Sequence, residues 1–180
     1  MKRITLKDKK FKPFISTPDI EQSIRTMAAN LNSKFKYETE PIVFVTVLNG
    51  AVPYASSLLT KLKFPVLFDT VKVSSYNGME RDELNFDKQP SVDFRGKKVI
   101  IVEDIIDTGY TIDYLKSYFE CNGAKEVFVS ALLIKPDVYK KRHPEFSQWA
   151  HISGENDDNI YICISIGNAF VRFSATVHRH

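Results

Sequence analysis

A doubly wound α/β domain, with a mostly parallel sheet flanked by helices, is the fold class this sequence predicts, and three observations predict it. Short apolar, β-branched runs recur at residues 41–48, 66–76, 99–102 and 126–134, each of strand length. The run at 99–102 is apolar throughout, and that at 41–48 nearly so, which suits strands buried on both faces of a parallel sheet. Between them lie segments whose apolar residues recur at helical spacing, and strands alternating with helices in this order give right-handed crossovers.

A chain of 180 residues is large enough to bury one sizeable core without staples, so a single domain over 1–180 is expected. Hydrophobic content of 43% and charged content of 26% are those of an ordinary soluble globule. The net charge of +3, with no dense basic stripe, gives no support to a nucleic-acid partner but suits anionic small molecules. Cys121 and Cys163 are far apart and form no metal-like spacing, which points to a reduced, cytoplasmic setting. No apolar run reaches the roughly 18 residues of a membrane span, and the first eight residues lack the apolar segment of a signal peptide.

The basic, mixed residues 1–16 read as an edge strand or arm. Thr17-Pro18-Asp19 starts a helix with proline at its first position, and Ile20, Ile24, Met27, Ala28 and Leu31 form its core-facing stripe. The strand at 41–48 runs directly into the small turn Asn49-Gly50-Ala51. Pro53 then opens a second helix carrying Tyr54, Leu58, Leu59 and Leu62. After the strand at 66–76, residues 77–96 turn polar and irregular. A loop this long inside a compact domain reads as a functional lid, because core strand resumes immediately after it. The strand at 126–134 ends in Lys135-Pro136. Residues 137–159 are polar: Lys140-Lys141-Arg142 reads as solvated, Trp149 as tucked against the domain, and His143 and His151 as surface residues. A further strand at 159–166 is turned by Gly167-Asn168 into Phe170-Val171.

The chain is organised around residues 99–111. Val99, Ile100, Ile101 and Val102 make a buried strand, and Glu103 and Asp104 arrive where such a strand should end. Asp107 then opens the polar turn Asp107-Thr108-Gly109-Tyr110-Thr111. A helix follows, with Ile112, Leu115, Tyr118 and Phe119 on one face and Asn122-Gly123 as its stop. A strand, a glycine- and hydroxyl-bearing turn and a helix N-terminus make an anion site, because free backbone N–H groups and the positive helix end point at its occupant. Carboxylates beside such a cradle have other work, such as accepting hydrogen bonds from sugar hydroxyls, taking a proton or helping to hold a cation. Asn49-Gly50, Ser75-Tyr76, residues 103–111 and Lys135 all fall at the carboxyl ends of the strands, where ligands of open α/β sheets bind.

Residues 99–111 resemble the signature of the type I phosphoribosyltransferases, which bind 5-phosphoribosyl 1-diphosphate (PRPP). The string Glu103-Asp104-Ile105-Ile106-Asp107-Thr108-Gly109 is most similar to the hypoxanthine-guanine branch. The resemblance implies a purine salvage enzyme that moves the phosphoribosyl group from PRPP to a 6-oxopurine, with Mg2+ as cofactor and a homodimeric or homotetrameric assembly. It implies that Asp107, Thr108, Gly109, Tyr110 and Thr111 hold the 5′-phosphate, and that Asp107 is also the catalytic acid or base near purine N7. Glu103 and Asp104 would take the ribose hydroxyls and, indirectly, the metal. Asn49 and Gly50 would face the pyrophosphate, in this family often across a non-proline cis peptide, although many relatives carry a basic residue at Asn49. Ser75 and Tyr76 would begin a lid over residues 75–96 that shields an oxocarbenium-like ribose from water. Lys135 would read the oxygen at purine C6, Phe170 would stack on the base, and Val171 would contact its edge through the backbone. The core would span about 17–136, with a hood formed by 1–16 and 137–180.

Past Val171 the family pattern breaks. Relatives continue toward an Asp-Tyr near the magnesium and an arginine at the pyrophosphate, whereas this chain reads Arg172-Phe173-Ser174-Ala175-Thr176-Val177-His178-Arg179-His180. Val177 falls at the metal-side Asp. Arg172 and Arg179 are the arginines available nearby. The competing class is a regulatory module of the same fold that senses PRPP or a nucleotide with weak or no catalysis. The altered C-terminus favours it; Asp107 and Lys135 oppose it.

Overall fold

In the computed structural model, the described residues are 4–6, 9–11, 15–75, 84–135, 161–166 and 169–172, with side chains over 15–74 and 84–135. A small antiparallel pair, β1 (Ile4–Leu6) and β2 (Lys9–Phe11), precedes helix α1 (Thr17–Lys34). Strand β3 (Ile42–Val47), helix α2 (Val52–Leu59), strands β4 (Val66–Ser75), β5 (Leu84–Lys88) and β6 (Lys98–Ile106) follow. Helix α3 (Tyr110–Cys121) and strands β7 (Glu126–Ile134), β8 (Tyr161–Ile166) and β9 (Ala169–Arg172) complete the chain.

The main sheet has the order β5-β4-β3-β6-β7-β8-β9. Its centre, β4-β3-β6-β7, is parallel; β5 on one side and β8 and β9 on the other join antiparallel. Alternation along the strands divides the core between two faces. Ile42, Phe44, Ile100, Val102 and Phe128 point to the side covered by α1 and α2. Val43, Val45, Val47, Val71, Val99 and Ile101 point to the side covered by α3. All six residues of β3 are buried, as the continuous apolar run requires. No helix among the described residues is long and apolar enough to cross a membrane.

Helix α1 begins where the sequence places it. Ser16 is the N-cap, its hydroxyl accepting from the Asp19 N–H at 3.3 Å, and Pro18 sits in the first turn. Ile24, Met27, Ala28 and Leu31 form the buried stripe.

Two elements differ from the sequence reading. The polar stretch 77–96 is not loop throughout. Residues 84–88 form β5, with Val73 opposite Phe86 and Ser75 opposite Leu84 in the ladder with β4. The chain then returns to the body through Asp69, a buried carboxylate on β4. Asp69 accepts from the N–H groups of Ser91 (2.6 Å) and Val92 (2.8 Å) and from the Ser91 hydroxyl (2.9 Å). Strand β6, secondly, does not stop at the acids. Its pairing with β7 continues through Ile105↔Leu133 to Ile106↔Ile134, so Glu103 and Asp104 lie within the strand.

Candidate active site

The strand order reverses between β3 and β6. The crossover after β3 leads through α2 outward to β4, while the crossover after β6 leads through α3 the other way to β7. The turns at the carboxyl ends of these two neighbouring strands therefore part and leave a crevice, the place where open α/β sheets bind ligands. Asn49, Gly50 and residues 103–111 lie at these carboxyl ends, and Ser75 and Lys135 lie at those of the flanking strands β4 and β7, whereas Phe170 and Val171 lie in β9 at the edge of the sheet.

On the β3 side, the Leu48–Asn49 peptide is cis, and Asn49 and Gly50 are exposed ahead of α2. Val52 N–H donates to the Asn49 carbonyl at 3.3 Å, which closes the turn. Gly50 packs against the Asp104 carboxyl group of β6. A Cβ at residue 50 would sit 2.8 Å from Asp104 Cγ and 3.0 Å from its Oδ1, so the absence of a side chain there is what lets the two turns meet.

On the β6 side, Glu103 and Asp104 differ in environment. Glu103 is only 8% exposed and its Oε1 accepts from the Asp104 N–H at 3.1 Å. Burial foremost, and then contact with the Asp104 side chain, pushes the Glu103 carboxyl up to about 9, against the lowering effect of that N–H. Asp104 is only partly buried and lies on the Gly50 side. Asp107 and Thr108 are exposed in the turn, and neither caps the helix. Gly109, at φ 86°, is the N-cap of α3, and it brings no side chain to the N–H groups of the first turn. The turn is held by the Asp113 N–H donating to the Gly109 carbonyl at 2.9 Å. The N-cap position thus puts no side chain of its own where an anion would sit at this helix N-terminus.

Lys135 lies one residue beyond β7, as Asp107 lies one residue beyond β6. The Ile106↔Ile134 register sets them side by side, and the Lys135 N–H donates to the Ile106 carbonyl at 2.9 Å. Lys135 Nζ donates to Asp107 Oδ2 at 2.8 Å. An ammonium and a carboxylate thus stand together at the mouth of the anion turn. Ser75 ends β4 on the same rim. Phe170 and Val171 lie in β9, paired with Ser165 and Ile164. Tyr76 and the segments 137–160 and 173–180 lie outside the described residues, as do Trp149, His143, His151 and Val177.

No group of three or more His, Cys, Asp or Glu side chains able to hold a metal occurs among the described residues. The pair Glu103 and Asp104 does not make a protein cage. Its chemistry fits a hard cation bound mainly through substrate oxygens, which Asp104, the more open carboxylate, would help to hold. Two residues were not singled out in the sequence. Asp69 is one; its only signal was an acid directly following the apolar run Val66-Leu67-Phe68. Thr46 is the other, 1% exposed on β3, with its hydroxyl unpartnered among the described residues.

The family model for the phosphoribosyl transferase domain matches residues 14–167. The chain is 32% identical over 131 residues to a hypoxanthine-guanine phosphoribosyltransferase of Bacillus subtilis, covering 72% of each. It is 31% identical over 162 residues to the enzyme of the same name from Streptococcus agalactiae, covering 89% of this chain and 81% of that one. Among solved structures, a hypoxanthine-guanine phosphoribosyltransferase of Bacillus anthracis superposes with a TM-score of 0.66 at 31% identity, covering 72% of this chain and 76% of the other. A hypoxanthine phosphoribosyltransferase of Staphylococcus aureus gives 0.65 at 26% identity, covering 72% and 70%. With the anion turn, the reversed strand order and these likenesses in agreement, the chain belongs to the phosphoribosyl transferase domain family.

Proposed function

We propose that this protein is a purine salvage transferase of the hypoxanthine-guanine phosphoribosyltransferase class. It moves the 5-phosphoribosyl group from PRPP to a 6-oxopurine and releases pyrophosphate. The observation that carries the reading is the Asp107–Lys135 pair at the mouth of an uncapped helix N-terminus, because it sets a proton acceptor and a carbonyl reader beside a phosphate cradle. The family match over 14–167 and the named relatives support the same class.

The 5′-phosphate sits on the turn Asp107 to Thr111, held by first-turn N–H groups and the Thr108 and Thr111 hydroxyls. Asp104 faces the ribose hydroxyls with Glu103 set behind it, and the negative charge of the Asp104 carboxylate steadies the cationic character that develops at C1′. Asn49 and Gly50 face the pyrophosphate. A bound Mg2+ would neutralise charge on the pyrophosphate and ribose oxygens, with Asp104 and Glu103 as its nearest protein groups. The N9 lone pair forms the bond to C1′ as the C1′–oxygen bond breaks, its electron pair leaving with pyrophosphate. The proton on N7 passes to Asp107. Lys135 donates to the oxygen at C6, Phe170 stacks on the base and Val171 meets its edge. Ser75 and Tyr76 begin the lid of residues 75–96, which keeps water from the reacting carbon.

In this reading the domain is 1–180, with a core of about 17–136 and a hood from 1–16 and 137–180, working in the cytoplasm as a homodimer or homotetramer. The apolar Phe68, 52% exposed on β4 and stacked on Phe44 at 6.4 Å, supports association. The test is to incubate the protein with PRPP and Mg2+ and follow ultraviolet absorbance with hypoxanthine, guanine, xanthine, adenine and uracil. Turnover confined to 6-oxopurines is expected. PRPP binding without pyrophosphate release for any base would select the regulatory module instead. Asp107→Asn should keep PRPP binding and lose roughly 10²-fold or more in kcat; wild-type kcat in that variant would remove Asp107 from the mechanism.

A further inference from the structure

The base of the β4–β5 ribbon holds more hydrogen bonds than its ladder requires. The two strands share four register pairs, Lys72↔Lys88 and then Val73↔Phe86 to Ser75↔Leu84, with Asp87 left without a partner in a bulge between them. Two strands joined over so short a ladder are marginal by themselves. Below the bulge, both oxygens of the Asp69 carboxylate, 4% exposed, are taken up by the returning chain. Oδ2 accepts from the N–H groups of Ser91 and Val92, and Oδ1 from the Ser91 hydroxyl and from Lys88 Nζ at 3.4 Å. The Thr70 N–H completes the set on Oδ1 at 2.7 Å, and Lys88 Nζ also donates to the Thr70 carbonyl. Above the bulge, Phe86 rests on Tyr118 at 4.7 Å and Tyr114 at 5.3 Å, residues of the helix that follows the anion turn.

Asp69 sits opposite Val45 in the ladder with β3, and roughly 20 Å of extended chain separates it from Ser75 at the rim. None of these donors is a group placed on PRPP or on the base. We propose that Asp69 is a positioning residue for the transfer: it fixes where the ribbon leaves the sheet, and with it where Ser75 and Leu84 stand at the crevice. The proposal rests on the transferase reading above and on the place that reading gives to residues 75–96 as a cover. A bulge bends the strand that carries it and re-aims what lies beyond. The angle of the ribbon is therefore set at its base, where Lys72 Nζ and Ser74 Oγ hold Asp87 at 3.2 and 2.7 Å and Asp69 holds the next residue, Lys88. Without the carboxylate, the donors of Lys88, Ser91 and Val92 lose their acceptor, and the ribbon keeps its short ladder, the Asp87 contacts and Phe86. A cover set at the wrong angle admits water to C1′. The water oxygen then bonds to C1′ as the C1′–oxygen bond to pyrophosphate breaks. The electron pair leaves with pyrophosphate, a proton passes to solvent, and the product is ribose 5-phosphate.

Pyrophosphate and nucleoside monophosphate, measured in the same reaction with hypoxanthine, PRPP and Mg2+, give a ratio that separates positioning from mere support of the fold. Wild type should release about one pyrophosphate per nucleotide, since water is kept from the reacting carbon. Asp69→Asn should lower kcat for nucleotide formation roughly tenfold, as when reacting groups lose alignment, and raise the ratio to about two or more. Leu31→Ala is the control. It empties a fully buried position of α1 on the opposite face of the sheet, which weakens the fold without touching the ribbon, and should leave the ratio at the wild-type value. A wild-type ratio in Asp69→Asn overturns the proposal whatever happens to kcat, because lost stability removes active molecules without diverting PRPP to water. An equal rise in Leu31→Ala overturns it as well, since any loosening of the domain would then have the same effect. If Asp69→Asn does not fold, the double variant Lys88→Met/Ser91→Ala, which strips two donors and keeps the carboxylate, decides by the same ratio. Absence of wild-type nucleotide formation with any 6-oxopurine would count against the transferase reading itself, a result distinct from these.

Discussion

Replacing Gly50 with alanine tests how the two halves of the crevice are joined. The added Cβ would lie 2.8 Å from Asp104 Cγ, whereas carbon atoms in ordinary contact stand about 3.5–4.0 Å apart, so something must move by roughly 1 Å. The Asp104 carboxyl group is the free end of a side chain and yields more readily than the backbone turn. The stability cost should therefore sit at the low end of overpacking, about 1 kcal/mol. The effect on activity should be larger, because a carboxylate displaced by that distance from the ribose hydroxyls costs on the order of 10²-fold in kcat/KM. Urea denaturation of four proteins isolates the cause: wild type, Gly50→Ala, Asp104→Ala and the double variant. In the Asp104→Ala background the obstructing Cγ and Oδ atoms are gone, so the same glycine substitution should cost within about 0.5 kcal/mol of nothing, giving a coupling energy near 1 kcal/mol. An equal cost in both backgrounds would show that the strain lies elsewhere in the turn. Unchanged kcat/KM for Gly50→Ala would refute the placement of Asp104 at the ribose.

Other substitutions probe the scaffold. Burial by itself would raise the Asp69 carboxyl, but hydrogen bonds from Val92, Thr70 and Ser91 overcome it and hold the group below the ordinary value of 3.8. A depressed folded value contributes stability that is fully present above pH 3.8 and is lost as pH falls through it. Asp69→Asn should cost about 2–4 kcal/mol at pH 7, because one amide end now faces N–H donors, and the gap to wild type should narrow as pH falls below about 4. A gap independent of pH between 3 and 7 would contradict this. Gly109→Ala forces a residue with a Cβ into φ 86° and should cost about 1–2 kcal/mol while weakening nucleoside-monophosphate binding, read by calorimetry. Phe119→Ala removes a fully buried ring that packs edge-on against Phe94 at 4.8 Å, and chemical denaturation should report a loss of about 3–5 kcal/mol.

The parallel centre of the sheet was legible because physics leaves little choice there. A strand covered by helices on both faces is apolar at nearly every position, and Val43, Phe44, Val45 or Val99 through Val102 announce that directly. Strand β5 was not legible. Leu84, Phe86 and Lys88 do alternate with Asn85 and Asp87, but five mixed residues inside a polar stretch carry too little apolar signal to stand out. The end of β6 was misplaced for a related reason. Carboxylates usually mark a strand's exit into water, yet backbone pairing with β7 carries the ladder past Glu103 and Asp104 to Ile106, and burial then leaves Glu103 largely enclosed. Composition could locate the acids but not which would be enclosed and which open, since that follows from how α2 and α3 close on opposite faces. The Asp107–Lys135 bond was likewise invisible, because two residues 28 positions apart meet only through register.

The sheet's mixed pairing has a consequence for how such a molecule can change over time. The four inner strands are interlocked by crossover helices on both sides, so a shift in any one would move both turns of the crevice at once. The outer ribbons, β5 on one margin and β8 with β9 on the other, hang on by hydrogen bonding along a single border each. Insertions and rewritten endings can accumulate at those margins without moving the two turns of the crevice, so diversity among descendants of this architecture should concentrate at the fringe, where it alters the cover and the base contacts, while the middle stays fixed.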